Sequence, residues 1–172
     1  MTTTWTTADQ SVTSAATCIR QKTLPKVFKV AKFEAGTRNA DIGGGKYDDV
    51  TQTLARQGIE NVIYDPYNRG PEHNAAAIAK IAGGQCDTVT VSNVLNVLPA
   101  VDDMNRVIEQ AADALKPGGT AYFSMYEGNK SGGGGTTSSG YQQNQPAKWY
   151  LPVVARFFSD VRIKRGVIIA KR

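Results

Sequence analysis

The sequence lacks the features that mark membrane-spanning, exported or metal-binding proteins. No apolar run approaches the roughly 20 residues that a spanning helix needs, and the N-terminal segment has neither the basic nor the apolar region of a signal peptide. The two cysteines, Cys18 and Cys86, have no spacing typical of a zinc site, so we expect free thiols. These absences predict a cytoplasmic protein with no membrane anchor and no metal site.

Two common phosphate-binding signatures are also missing. The segment Asp-Ile-Gly-Gly-Gly-Lys-Tyr (41–47) is followed by Asp48, where a dinucleotide fingerprint needs its third glycine. The pattern G-x-x-x-x-G-K-S/T does not occur. Asp41, Asp48 and Asp49 would repel a pyrophosphate, whereas a cofactor with a sulfonium and an amino group tolerates them. Nicotinamide dinucleotides and nucleoside triphosphates are therefore disfavoured.

The 172 residues fit one α/β domain. Residues 1–16 are rich in Thr and Ser without periodicity, which predicts a flexible tail before a domain over 17–172. Two short helices are expected first, over 14–23 and 25–35. Strands and helices then alternate, and apolar periodicity, glycines and prolines set their bounds. The strands are predicted over 38–42, 61–64, 86–93 and 120–126, and the helices over 49–58, 72–82 and 102–115.

This alternation predicts a Rossmann-like, doubly wound and mainly parallel sheet, because strands joined through helices need crossover connections. Residues 160–172 indicate a C-terminal antiparallel strand pair that turns near Gly166. Residues 127–144 are too rich in Gly and Ser for a regular element and are expected to form a mobile loop, with 128–140 as a candidate lid. A helix is predicted over 146–158, where Pro152 either starts a fresh helix or kinks this one.

Three loops of the predicted sheet carry the chemistry. Ligands of open parallel sheets bind at the carboxyl ends of the strands, where residues 41–47, 64–67 and 92–99 should meet. Glycines at 43, 44 and 45 let the backbone approach a ligand closely. Asp65 ends the second strand, where its carboxylate can accept hydrogen bonds from both hydroxyls of a ribose. The combination predicts a site for a nucleoside-containing cofactor.

These motifs resemble those of the class I S-adenosylmethionine-dependent methyltransferases. Asp-Ile-Gly-Gly-Gly matches their D/E-x-G-x-G motif with Tyr47 in place of the frequent third glycine, and Asp65 matches their ribose-binding acid. Residues 91–128 resemble the stretch in which V-L-H-H-L-P precedes a helix and K-P-G-G. The resemblance implies S-adenosylmethionine as cofactor. It places Asp41, Gly43, Gly45 and Lys46 around the methionine half, Asp65 at the ribose, Pro66 and Tyr67 at the adenine, and Ser92, Asn93 and Val94 beneath the methyl group.

The chain departs from this family pattern in one place. Only 21 residues separate Asp65 from Asp87, too few for the usual helix, strand and helix. We therefore expect a reduced sheet that lacks one strand and its adenine-contacting acid. A fainter likeness, in Lys46–Val50, Tyr64–Tyr67 and Val94–Val97, is to methyltransferases encoded beside DNA-modification genes.

The catalytic residues stay open at this stage. His73 is the only histidine and a candidate base, although a histidine near a helix start is usually just solvated. Asn93 could touch substrate or satisfy local backbone, as could Asn96. Tyr126 and Tyr141 flank the expected substrate side, together with Glu127, and Tyr126 fits a packed strand end equally well.

Several functions fit these residues. The leading one is methyl transfer to a small molecule, a nucleotide or a nucleic acid. The alternatives are a module that binds S-adenosylmethionine or S-adenosylhomocysteine without turnover, and a DNA or RNA methyltransferase working with a partner. The Asn/Asp-Pro-Pro-Tyr signature of amino-group DNA methylation is absent, since Ser92–Leu95 stands in its place.

The basic residues concentrate in two stretches, 20–32 and 156–172, within a net charge of +5. If these stretches lie together, they make one basic face suited to a polyanion. The alternative is a solvated surface that keeps the protein soluble. The oligomeric state is open.

Overall fold

The computed structural model describes residues 5–6, 23–138 and 140–172. Its main sheet has six strands in the spatial order β2-β1-β3-β4-β8-β7, where the labels denote β1 (Arg38–Ile42), β2 (Glu60–Tyr64), β3 (Cys86–Ser92), β4 (Leu115–Ser124), β7 (Asp160–Lys164) and β8 (Val167–Lys171). The first four strands are parallel, and β8 is antiparallel to both β4 and β7. The predicted α/β class, the mainly parallel sheet and the C-terminal strand pair are confirmed.

Helices cover both faces of the sheet, as the doubly wound prediction requires. They are α1 (Lys26–Val30), α2 (Asp49–Ala55), α3 (Pro71–Ile81), α4 (Val101–Ala114) and α5 (Leu151–Val154). Side chains of α3, α4 and α5 pack with β1, β3, β4 and β8 in one apolar cluster. A smaller cluster on the other face joins α1 and α2 to β4 and β8.

The sheet is reduced, as the spacing after Asp65 predicts. Between β2 and β3 the chain forms only α3, and β2 is an edge strand of the sheet within the described part of the chain. The parallel register aligns Asp41 with Ile63 of β2 and Thr90 of β3. The ends of β1, β2 and β3 therefore lie level, and the loops that follow them meet at one edge.

The Lys-Pro-Gly-Gly segment corrects one predicted boundary. It was expected to end the helix over 102–115, but α4 ends at Ala114 and β4 already begins at Leu115. Leu115 is fully buried and pairs with Cys86, which draws the chain into the sheet. Pro117 disfavours a helical conformation in Lys116 before it, and a register shift between Cys86 and Thr88 accommodates the segment.

The Gly- and Ser-rich segment corrects another expectation, because it contains regular structure. Two short strands, β5 (Gly135–Thr137) and β6 (Gly140–Gln142), form an antiparallel hairpin. The Thr137 hydroxyl donates to the Gly140 carbonyl at 2.9 Å across the turn. Thr136, Thr137 and Tyr141 have the β propensity that the surrounding glycines lack, which explains why the strands form there.

The predicted helix over 146–158 divides in two. A 3₁₀ turn spans Ala147–Tyr150, and α5 then begins at Leu151 with Pro152 in its first turn. A proline fits there because first-turn amides have no helical partner. Of the two alternatives for Pro152, the fresh helix is the observed one.

The N-terminal predictions fall mostly on residues outside the described part. This holds for the helix over 14–23, of which only Thr23 is described, and for the flexible tail over 1–16, except Trp5 and Thr6. The helix predicted over 25–35 is shorter than expected, because α1 ends at Val30 and Ala31 has an extended backbone. The Trp5 indole donates to Asp113 at 2.7 Å, and its ring meets Tyr64 edge-on with centroids 4.9 Å apart. Among the described residues, no helix has the length and apolar character needed to cross a membrane.

Candidate functional site

The loops after β1 and β3 meet at the point where the strand order reverses. From the adjacent strands β1 and β3, the chain continues to β2 on one side and to β4 on the other. Gly43 follows β1 with a φ of 74°, and its amide donates to the Tyr64 carbonyl at 2.7 Å. A Cβ added at Gly43 would overlap the Val94 side chain from the loop after β3. Only glycine meets both conditions, the left-handed backbone and the close approach of Val94. The structure therefore brings these two predicted site residues together.

Asp65 is the hydrogen-bonding centre of the site. It is 3% exposed, and its two carboxylate oxygens accept four hydrogen bonds from the chain itself. Oδ2 accepts from the Gly45 amide at 2.8 Å and from the Asn68 side chain at 3.0 Å. Oδ1 accepts from the Tyr67 and Asn68 amides at 3.0 and 2.9 Å. Asp65 thus ties the glycine loop after β1 to the loop after β2.

Two residues that the sequence reasoning did not single out hold this arrangement in place. Asn74 of α3 is fully buried; its side chain accepts from the Asp65 amide at 3.0 Å and donates to the Asp65 and Arg69 carbonyls. Arg69 donates to the Gly45 carbonyl at 2.7 Å and pairs with Asp48 at 2.7 Å. The sequence offered one signal for the role of Asn74: it stands in the first turn of an Ala-rich helix, where asparagine side chains often hydrogen-bond nearby backbone groups.

Asp41 lies beneath the glycine loop and is 2% exposed. Burial raises the pKa of its carboxyl to about 7, and the nearby Asp65 charge adds to this, while hydrogen bonds from Thr90 and Asn61 oppose it. The Thr90 hydroxyl donates to Oδ1 at 3.1 Å. A Cβ at Gly44 would lie 2.7 Å from the other oxygen, Oδ2, so the glycine is required where the chain passes over the carboxyl.

A buried polar network continues from Asp41 along the same face of the sheet. The Asn39 side chain donates to Asn61 at 2.7 Å and to Thr90 at 2.9 Å, and it accepts from Thr88 at 2.8 Å. These residues alternate along β1 and β3 with the apolar residues of the opposite face. The alternation was visible in the sequence and could have revealed the network.

The other predicted cofactor residues surround this centre. Lys46 is exposed, with its ammonium 5.3 Å from the Tyr47 ring centroid. Pro66 and Tyr67 are half-buried in the loop that Asp65 organises. Ser92, at the end of β3, lies with its hydroxyl 3.3 Å from that of Ser124 on β4.

Asn93 and Tyr126 lie on the neighbouring β3 and β4 side, which we call the acceptor side. Asn93 is exposed with a φ of 56°, and its amide donates to the Ser124 carbonyl at 2.8 Å. The Tyr126 side chain is 63% exposed and follows β4. Both candidates therefore follow adjacent strands at the same edge of the sheet as Gly43.

The hairpin β5–β6 is anchored over the acceptor side. The Asn96 side chain donates to Gln142 at 3.1 Å, and the Gln142 side chain donates to the Tyr126 carbonyl at 2.9 Å. Gln143 donates through its amide to the Asn96 carbonyl at 2.8 Å and through its side chain to the Leu98 carbonyl at 3.0 Å. Asn96 is therefore buried and structural in these contacts, while its Oδ1 finds no partner among the described residues.

Three further side chains border the acceptor side. Tyr141 of β6 lies against Gly134, where a Cβ would overlap its hydroxyl. Glu127 accepts from the Ala147 amide at 2.7 Å and pairs with Lys130 at 2.9 Å, and both contacts lower the pKa of its carboxyl. Tyr150 is fully buried; its hydroxyl has no partner among the described residues, and burial raises its pKa.

The structure places His73 apart from the other catalytic candidates. It lies on α3, and its Nε2 is 2.9 Å from the Ile63 carbonyl on the outer strand β2. Strand β4, which precedes Tyr126, is three strands away, or about 14 Å at the usual strand spacing. His73 covers a carbonyl of the sheet edge where the missing strand would pair.

Cys86 is a free and buried thiol whose pKa burial raises to about 12. Cys18 lies outside the described residues. Over the part of the chain that the structure describes, no group of His, Cys, Asp and Glu side chains has the arrangement to hold a metal ion.

The glycine loop, the buried acid after β2 and the switch point define a Rossmann-like nucleoside-binding domain. The methyltransferase domain family matches residues 19–162, and the chain belongs to that family. The resemblance to class I S-adenosylmethionine-dependent methyltransferases is thereby confirmed. The fainter likeness to methyltransferases beside DNA-modification genes stays a prediction. No curated protein matches the sequence.

Solved structures share the fold. A SAM-dependent methyltransferase from Methanosarcina mazei matches with a TM-score of 0.63 and 14% identity, over 87% of this chain and 98% of the other. Phosphoethanolamine N-methyltransferase 2 of Haemonchus contortus, in complex with S-adenosylmethionine, matches with a TM-score of 0.52 and 16% identity, over 79% of this chain.

The 16S rRNA N2 G1207 methyltransferase of T. thermophilus, in complex with AdoMet and guanosine, matches with a TM-score of 0.51 and 16% identity, over 81% of this chain. The chain spans 36% of the Haemonchus protein and 38% of the Thermus protein. At these identities the likeness concerns the fold.

Proposed function

We propose that this chain binds S-adenosylmethionine at the β1–β3 switch point and transfers its methyl group to an acceptor held at the acceptor side. The single observation that carries this proposal is the junction of the glycine loop with Asp65 through the 2.8 Å Gly45 hydrogen bond, in a methyltransferase-family fold. The family's structural neighbours support both the cofactor and an enzymatic role.

The residues at the switch point fit this cofactor. Asp41 and Asp65 are both buried beside the glycine loop, and a positively charged sulfonium and ammonium suit such a pair better than a pyrophosphate does. All four lone-pair sites of Asp65 are filled by the chain. A ribose hydroxyl must therefore replace one donor, and the Asn68 side chain is the one that can rotate away without moving the backbone.

When bound, S-adenosylmethionine supplies a methyl group on a good leaving group. The chain's residues then have to orient the acceptor and exclude water, since methyl transfer from a sulfonium is an in-line displacement. Asn93 and Tyr126 are exposed at the edge where the acceptor must approach. The anchored hairpin β5–β6 is suited to exclude water there. A dedicated base is optional when the acceptor atom is already unprotonated.

Calorimetry with S-adenosylmethionine, S-adenosylhomocysteine and NADH tests the cofactor. We expect the first two to bind and NADH not to bind. Tight NADH binding without any response to S-adenosylmethionine would overturn the proposal.

A labelled-methyl screen over DNA, RNA, nucleotides and a small-molecule extract tests the transfer. We expect incorporation into one of these classes, and the acceptor class is a small molecule, a nucleotide or a nucleic acid. Binding of S-adenosylmethionine with no transfer to any class would favour the non-catalytic binding module instead.

Deletion of residues 132–139 tests the proposed role of the hairpin. Gln142 of the hairpin and Gln143 beside it bond the loop after β3 and the Tyr126 carbonyl beyond β4. We therefore expect cofactor affinity close to that of the parent and a loss of transfer. Equal loss of both would assign the hairpin to the cofactor, and unchanged transfer would make it a connector.

A further inference from the structure

A basic groove lies on the α1 face of the sheet, away from the glycine loop. Its volume is about 470 Å³, and its floor includes Thr120 and Tyr122 of β4 and Ile169 of β8. Helix α1 has five residues, about 7.5 Å in length, and it leaves the β7 side of this face uncovered. The groove is where the two basic stretches of the sequence converge.

Five cationic and only two acidic side chains line this groove; they are Lys32, Lys116, Arg162, Lys164 and Lys171 against Glu34 and Asp87. Lys116 pairs with Asp87 at 2.8 Å, and Arg162 lies 3.6 Å from Asp160. The ion pairs of the described residues leave Lys32, Lys164 and Lys171 without an acidic partner. All three are exposed. The groove therefore carries an uncompensated positive charge.

The spacing of these cations is regular. The antiparallel register puts Lys164 opposite Val167, Arg162 opposite Ile169, and Lys171 opposite Asp160. One cation thus stands on each of three successive rows of this face, about 7 Å apart along the strands. The last row also holds Asp160, beside Lys171 and within 3.6 Å of Arg162, so the uncompensated charge is greatest at Lys164 and Lys32. Lys32 and Lys116 add positive charge on the α1 and β4 wall. A linear polyanion with evenly spaced charges matches this track better than a single compact anion does.

We propose that this groove binds the phosphate backbone of a single-stranded nucleic acid. One wall of the groove carries Lys32 and Lys116, and the other carries Arg162 and Lys164. A single strand lying between the walls therefore meets positive charge on both sides, whereas a flat basic face would contact it on one side only. This binding is independent of methyl transfer. Its test therefore uses no cofactor, and its failure would leave the proposed transfer intact.

The experiment measures the fluorescence anisotropy of a labelled 12-nucleotide single strand over a range of salt concentrations. The test variant is Lys164→Gln with Lys171→Gln. The matched control is Arg56→Gln with Lys80→Gln, which removes the same charge from exposed residues just after α2 and on α3. We expect the test variant to bind at least about fivefold more weakly at low salt. Its salt slope should fall by about 1.4, because two fewer phosphates are neutralised.

We expect the control variant to bind within about twofold of the parent. No binding of the parent at low salt, or an equal loss in both variants, would overturn the proposal. Equal or tighter binding of the matching duplex, or of poly-aspartate, would also overturn it, in favour of a duplex or an acidic protein segment. Circular dichroism checks that both variants keep the parent's fold.

Discussion

The two sides of the candidate site differ in how completely their buried polar atoms are hydrogen-bonded. On the cofactor side, Asp65 accepts four hydrogen bonds and Asn74 makes three. On the acceptor side, Asn96 Oδ1 and the Tyr150 hydroxyl are buried without a partner among the described residues. Because an unpaired buried polar atom is costly, the loops that Asp65 joins are more fully stabilised by hydrogen bonds than the segment around Asn96 and Tyr150.

The largest expected effect concerns Asp41 and pH. Its pKa is about 7 in the folded chain and near 4 in an unfolded one, so between these pH values the native state retains a proton that the unfolded state has lost. The free energy of unfolding should therefore fall as pH rises from 4 to 7, by about 4 kcal/mol from this group. Urea unfolding of the parent and Asp41→Asn at pH 4.5, 6 and 7.5 measures the difference.

The variant should lose this part of the pH dependence, whereas all other carboxyl groups are common to both proteins. Parallel profiles for the parent and Asp41→Asn would show that the carboxyl does not titrate in this range.

A bound cation would lower the Asp41 pKa. Binding of S-adenosylmethionine should therefore release protons near pH 7 in the parent but not in the variant, which calorimetry in two buffers detects.

Asp65→Ala should have the next largest effect. It leaves three main-chain amides of the two loops without their acceptor, which should cost about 2 to 4 kcal/mol of stability. S-adenosylmethionine affinity should fall more than tenfold, since charged-acceptor hydrogen bonds contribute about 1.5 to 3 kcal/mol. Asp65→Asn, which keeps one acceptor oxygen, should be intermediate. A folded Asp65→Ala protein with the parent's affinity would show that the acid is only structural.

Gly43→Ala tests the approach of the two loops at the switch point. Both Gly43 and Gly36 have positive φ, but a Cβ at Gly36 has no atom within 4 Å, whereas at Gly43 it overlaps Val94. Gly36→Ala should therefore cost only the backbone strain of about 1 to 2 kcal/mol. Gly43→Ala should cost at least about 1 kcal/mol more. The double variant with Val94→Ala should remove most of that excess, and equal losses for the two single variants would contradict the packing.

The smallest expected effect is the change in stability when a tyrosine on each side of the site, Tyr64 or Tyr150, is replaced by phenylalanine. The Tyr64 hydroxyl donates to the Thr6 carbonyl at 2.9 Å, so Tyr64→Phe should cost about 0.5 to 1.5 kcal/mol. Tyr150→Phe removes a buried hydroxyl that has no partner among the described residues, and should be neutral or slightly stabilising. Thermal unfolding compares the two. A larger loss for Tyr150→Phe would show that its hydroxyl is satisfied in solution.

Local pattern was sufficient to predict most of the fold. The bounds of β1 were predicted as observed, and those of α3 and α4 within one residue, because glycines, prolines and apolar spacing act locally. The pattern was insufficient at Lys116–Gly119 and at 135–142. In both segments the β structure depends on a pairing partner distant in sequence or on a turn among glycines, which local propensity does not report.

The sequence by itself determined the order of elements, the missing strand, the glycine loop and the acid after β2, since each depends on residue type and spacing along the chain. Only the tertiary structure decided what those residues contact. In the folded chain, Asp65 accepts four hydrogen bonds, Arg69 and Asn74 bond the loops around it, and His73 lies at the edge of the sheet. Arg162, Lys164 and Lys171 line one groove. Such contacts depend on strand order and register, which bring together residues far apart in the chain.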